Sequence, residues 1–141
     1  MFDQPIRNIM EQKKFLTASP QTSVSDAARL MAKKNVGVIL VVENDRLTGI
    51  FSERDAVFRV IAQGLEPKTT PLVDVMTPSP KTLEPCRTYG HALLLMQENG
   101  FRHVPVVENG RPIGIISSRN AMDPDLEDFV SEARRREHHR M

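Results

Sequence analysis

The chain has 141 residues, 40% of them hydrophobic and 26% charged, with a formal net charge of +1 at pH 7. This is the mix of a soluble globular chain rather than a disordered one, one ordinary domain or two very small ones sharing a core, and the charge argues neither for a nucleic-acid footprint nor for an acidic solvating protein. The lone cysteine, Cys86, excludes a disulfide framework and a cysteine metal cluster, and points to a reducing cytoplasm.

In chain order, Asp3 and Arg7 open the N-terminus with no apolar stretch behind them, unlike a secretory signal. A short extended segment surrounds Thr17. Val24, Ala27, Ala28 and Met31 then fall at i, i+3, i+4 and i+7, one stripe of a helix that Ser23 is placed to cap. Two strands follow at 36–42 and 46–51, joined by Asn44-Asp45, residues that tolerate the positive φ of a tight hairpin. The run VGVILVV at 36–42 suits a buried strand and is far too short to span a bilayer. At Ser52 strand gives way to helix, with Ala56, Val57, Val60 and Ile61 as its stripe and Gly64 as its stop. Pro67, Pro71, Pro78 and Pro80 predict an extended connection.

The chain then repeats itself. A shift of 65 residues aligns Thr17 with Thr82, Pro20 with Pro85, Ala27 with Ala92 and Leu30-Met31 with Leu95-Met96. The same shift aligns Val41-Val42-Glu43-Asn44 with Val106-Val107-Glu108-Asn109, and GIFSERDA at 49–56 with GIISSRNA at 114–121. Upstream, IRNIM at 6–10 matches LVDVM at 72–76 after one inserted residue. In the second copy Thr88 is the cap, Tyr89, Ala92, Leu93 and Met96 form the stripe, and strands fall at 101–107 and 111–116 around Asn109-Gly110. The reading is an α/β (α+β) chain of two β-α-β-β-α repeats, 1–64 and 65–123. One such unit buries too little surface to stand alone, so the two pack about a pseudo-two-fold axis and create two equivalent clefts. Asp123-Pro124 interrupts the last repeat helix and starts a C-terminal helix over 124–141, with Leu126, Phe129, Val130 and Ala133 as its stripe.

The repeated phrase carries the chemistry. Gly49 permits close approach of a backbone or a ligand. Ser52 at the N-cap leaves backbone N–H groups and the positive end of a helix dipole free for phosphate. Arg54 adds a forked cation, and Asp55 is an acceptor suited to the two vicinal hydroxyls of a ribose. Phosphate at one end and ribose at the other describe a nucleotide. The same Ser-x-x-Asp spacing is also a capping box, which requires no ligand, and the phrase alone supports both readings about equally.

The stretches TASPQTSVSDAARLM, VGVILVVENDRLTGIFSERD, TLEPCRTYGHALLLM and FRHVPVVENGRPIGIISSRN together resemble a tandem pair of CBS domains, a Bateman module, over nearly all of 1–123. Within that family the chain resembles the stand-alone bacterial members. The resemblance implies two CBS repeats packed sheet to sheet. It implies an adenosine-containing regulator in the clefts between them: AMP, ADP, ATP, S-adenosylmethionine or NAD(H), with no cofactor required. Asp55 would hold the ribose, Ser52 and Arg54 would lie near phosphate, and Thr17, Ala18 and Val38 would line the base. The second-copy counterparts are Thr82, Leu83, His103, Ser117, Arg119 and Asn120. Asn120 departs from the family's Asp and lacks charge assistance, worth ~1 kcal/mol or several-fold in affinity, so the Asp55 site is expected to be preferred. The resemblance further implies a homodimer and a regulated protein partner. The alternative is a ligand-free scaffold of the same fold.

Other signals are weaker. RRREHHR at 134–140 reads as a solvated basic helix end rather than a grip on nucleic acid or acidic lipid. Met10, Met31, Met76 and Met96 recur at repeat positions as core residues, Cys86 reads as a small structural residue, and His91 as a surface position. No P-loop, zinc-type His-Glu-x-x-His, nucleophile elbow or Cys-x-x-Cys appears, so no enzymatic activity is expected.

Overall fold

The structure, a computed structural model, describes residues 2–10 and 15–118. Arg119, Asn120 and the expected helix at 124–141 lie outside the described residues. After a 3-10 turn, Ile6–Asn8, the elements run β1 (Thr17–Ala18), α1 (Val24–Lys34), β2 (Val38–Glu43), β3 (Arg46–Ser52) and α2 (Glu53–Asp55). A π-helical continuation, Ala56–Ile61, is followed by α3 (Leu72–Val75), β4 (Thr77–Pro78), α4 (Tyr89–Asn99), β5 (His103–Glu108) and β6 (Arg111–Ser117).

The repeats built from the sequence reappear as pseudo-symmetric geometry. Ser23 Oγ accepts from the Asp26 amide and Thr88 Oγ1 from the His91 amide, so both helices begin at the expected caps. Asn44 and Asp45, like Asn109 and Gly110, adopt the positive φ of their hairpin turns. Each hairpin shifts register at the same place, between Val41 and Val42 and between Val106 and Val107. The first sheet has strand order β1-β2-β3-β4 and the second pairs β5 with β6. Leu83 bridges Val106 in parallel, as Thr17 and Ala18 pair with Leu40 and Val41. Val38 and Leu40 of β2 meet Ile115 of β6 in an apolar layer between the sheets, and the hairpins are tied where the Leu47 amide donates to the Gly110 carbonyl at 3.0 Å.

Two larger cores lie behind the sheets, and the segments before each repeat are exchanged between them. Leu72, Val75 and Met76 pack with Val24, Ala27, Met31, Ile39, Val41, Phe51 and Val60. Ile6 and Met10 pack with Leu83, Tyr89, Ala92, Met96, Val104, Val106 and Ile116. The hydrogen bonds match: Ile6 donates to the Arg87 carbonyl at 2.7 Å and Leu72 to Thr22 at 2.9 Å, while Tyr89 donates to Gln4 and Val24 to Thr70, each at 2.9 Å. All four repeated methionines are buried, as their positions predict.

Three expectations need correction. The connection between the repeats is not wholly extended, because α3 forms directly after Pro71, whose fixed φ is tolerated at the start of a helix. The stripe Ala56, Val57, Val60 and Ile61 is not one buried face. The Ala62 amide donates to the Val57 carbonyl at 2.9 Å, an i+5 bond that widens the turn. Val60 is then buried while Val57, Phe58 and Ile61 remain 49%, 55% and 69% exposed. Cys86, finally, is exposed and fills no core.

Candidate functional site

The first phrase forms a tight strand-to-helix junction. Ser52 ends β3 in extended conformation and begins α2, and its Oγ accepts from the Asp55 amide at 3.1 Å. Asp55 Oδ2 in turn accepts from the Ser52 amide at 3.0 Å and from Ser52 Oγ at 3.2 Å. This is a complete capping box in its acidic form. The Glu53 amide donates to the Gly37 carbonyl at 2.9 Å, so two of the first three helical amides expected to face a phosphate are already bonded.

Asp55 is 8% exposed and is the one buried charged side chain among the described residues. Its second oxygen, Oδ1, is held loosely, with Thr77 Oγ1 and Arg59 Nε each at 3.5 Å. Hydrogen bonds at that distance are at the limit of usefulness. A carboxylate has about four acceptor positions, so Oδ1 keeps capacity for a further donor.

The other expected residues fall into three groups. Val38 lies opposite Ser52 in the ladder and His103 opposite Ser117, so the second copy repeats the first with an imidazole in place of an isopropyl group. Thr17 and Thr82 are exposed at the extended segments. Ala18 packs against the first core and Leu83 is buried in the second, and the main chain of Leu83 is bonded to Pro105 and Val107. Arg54 does not face the junction. Its guanidinium lies 4.8 Å from the centroid of the Phe58 ring, and it has to leave that ring to reach an anion.

Several participants were not foreseen. The close approach expected at Gly49 is made by a side chain: a Cβ there would meet Met76, with Cε at 2.9 Å, so the glycine makes room for the inter-repeat segment. Thr77 gives no signal in the sequence. Arg59 does, as the i+4 partner of Asp55 on one helix.

The second junction has its own support. Ser118 donates to the Arg102 carbonyl at 3.0 Å, as Glu53 does to Gly37. Tyr89, fully buried where the first copy has Val24, donates its hydroxyl to the Ser117 carbonyl at 2.9 Å. Burial pushes its phenol up to about 12 from the ordinary 10. A raised folded value means that the contribution to stability is complete below pH 10 and is lost as pH climbs from 10 to 12. Unfolding measured across that interval should therefore be more alkali-sensitive in the wild type than in Tyr89→Phe; parallel profiles would remove Tyr89 as the cause.

Two concavities, of about 450 and 300 Å³, lie away from the Asp55 junction, one beside Arg46 and Arg111 at the hairpin ends and one beside Arg7 and Cys86. Among the described residues there is no group of three or more His, Cys, Asp or Glu placed to hold a metal, and no helix long and apolar enough to cross a membrane.

Two repeats of this shape, each closing on a strand-to-helix phrase, coincide with what comparison finds. The CBS domain family model matches residues 6–62 and 72–127, and the chain belongs to that family as a tandem pair. The chain is 40% identical over 100 residues to the meiotically up-regulated gene 70 protein of Schizosaccharomyces pombe, covering 70% of this chain and 14% of that protein. It therefore spans only about a seventh of that relative's length. An uncharacterized conserved protein from Pyrococcus horikoshii superposes with a TM-score of 0.79 at 31% identity, covering 86% of this chain and 91% of that one. The CBS domain pair of protein MJ0100, solved in complex with 5′-methylthioadenosine and S-adenosyl-L-methionine, has the same fold, with a TM-score of 0.75 at 24% identity and coverage of 84% and 92%.

Proposed function

We propose that this CBS pair is a regulatory module that binds an adenosine-containing ligand beside the first strand-to-helix junction and passes its occupancy to a partner protein. The observation that carries the reading is the buried Asp55 carboxylate with one half-used oxygen. Burying a charge is costly unless it is paired, and a diol supplies the missing donors. The adenosyl ligands named for the MJ0100 pair support the ligand class. Asp55 accepts the ribose hydroxyls, Ser52 and the helix start lie near phosphate with Arg54 swung from Phe58, and Thr17 and Val38 flank the base. His103 and Ser117 belong to the second, weaker site with Asn120. The ligand acts by favouring one arrangement of the repeats over another. Val57, Phe58 and Ile61 form an exposed apolar face suited to a second copy, which supports a homodimer. The exposed Cys86 thiol fits a reducing, cytoplasmic setting.

A second reading has its own support: the capping box is complete without a ligand, as a structural scaffold requires. Calorimetric titration with AMP, ATP, S-adenosylmethionine and NADH separates the two. Saturable binding to at least one is expected, weakened several-fold by Asp55→Asn, which keeps the side-chain shape but removes the charge. No heat and no thermal shift with any of the four would leave the scaffold.

A further inference from the structure

Arg59 joins two parts of the molecule that the sequence separates. Its Nε lies 3.5 Å from Asp55 Oδ1, and its Nη1 donates to the Met76 carbonyl at 2.9 Å, with the Val75 carbonyl at 3.5 Å. Those carbonyls close α3, the short helix before the second repeat. The guanidinium is thus anchored to main chain through Nη1 and approaches the carboxylate through Nε. Asp55 Oδ2 is committed to Ser52, which leaves Oδ1 facing Arg59 Nε and Thr77 Oγ1.

The second copy does not carry these residue types at the matching positions. Shifted by 65 residues, Asp55 becomes Asn120 and Arg59 becomes Pro124. The acid and the arginine are thus changed together, and proline supplies no side-chain donor of any kind. A capping box needs only the serine and the acid, so the box does not account for the arginine.

We propose that Arg59 is the positioning residue that makes Asp55 an acceptor for a vicinal diol, and so makes the first site selective for ribonucleosides over their deoxy counterparts. This rests on the nucleotide reading above and adds to it the source of selectivity. Arg59 itself touches no ligand. It holds the carboxylate so that Oδ1 meets two hydroxyls.

The experiment is calorimetric titration of the wild type, Arg59→Met and Arg59→Lys with AMP and ATP and with the 2′,3′-dideoxy form of each. The wild type should prefer the ribo form by about tenfold or more. Arg59→Met should bring the two forms within about twofold by weakening the ribo form alone, and Arg59→Lys should restore part of the preference. The dideoxy affinity reports on the fold of each variant, because it does not depend on the diol. Equal weakening of both forms in Arg59→Met would reduce Arg59 to a structural tie between α2 and α3. An undiminished preference would show that Asp55 needs no such support. If neither AMP nor ATP binds the wild type, this proposal falls, and the titrations with S-adenosylmethionine and NADH decide whether the adenosine reading falls with it; if the wild type discriminates and Arg59→Met does too, only the role of Arg59 falls.

Discussion

Leu72→Ala should destabilise the protein by about 2–5 kcal/mol, the range for emptying a fully buried leucine site, although Leu72 belongs to the connection between the repeats. Its side chain is fully buried against Val24, Phe51 and Val60, so the cavity opens inside the first core. Ile6→Ala should cost a similar amount, about 2–5 kcal/mol, in the second core, where Ile6 packs against Tyr89 and Val104. Urea unfolding checks both: the midpoint should fall with little change of slope, in a single transition, because each prefix fastens the other repeat. A loss below about 1 kcal/mol, or two separate transitions, would mean that the repeats fold as independent units.

Gly49→Ala should cost about 1–3 kcal/mol, the penalty of overpacking a filled core. The new methyl group meets the Met76 side chain, with Cε at 2.9 Å and Cγ at 3.0 Å. Gly49 is held on both sides, by Val41 of β2 and Pro78 of β4, so the strand cannot retreat and the methionine must move. Met76 is 9% exposed within the first core, and its displacement exposes that core's edge. The double variant Gly49→Ala, Met76→Ala should lose less than the sum of the two single losses, because removing the thioether makes room for the methyl. Additive losses would show that glycine is required there for a reason other than Met76.

Much of this was legible in sequence. The caps at Ser23 and Thr88, the positive-φ hairpin turns and the buried methionines were each signalled by residues close in the chain or by the repeat itself. Ser52 and Asp55 were recognisable because a capping box is a spacing of three. Their further partners were not. Thr77 and the carbonyls of Val75 and Met76 reach Asp55 and Arg59 from about 16 to 22 residues away, and nothing periodic announces such a meeting.

Local chemistry therefore determined the elements and their duplication: apolar runs joined by positive-φ turn residues made the strands, 3.6-residue spacing made the helices, and the shift of 65 residues made the pair. Tertiary structure decided which copy each prefix fastens. IRNIM and LVDVM are similar apolar turns, and nothing in either says which of two similar grooves it fills. The choice is made by where the chain runs when the sheets meet, which leads residues 2–10 to α4 and residues 71–78 to α1 and β3. Tertiary structure also left Val57 and Ile61 exposed, where i+5 bonding widened a helix that the apolar spacing alone made regular.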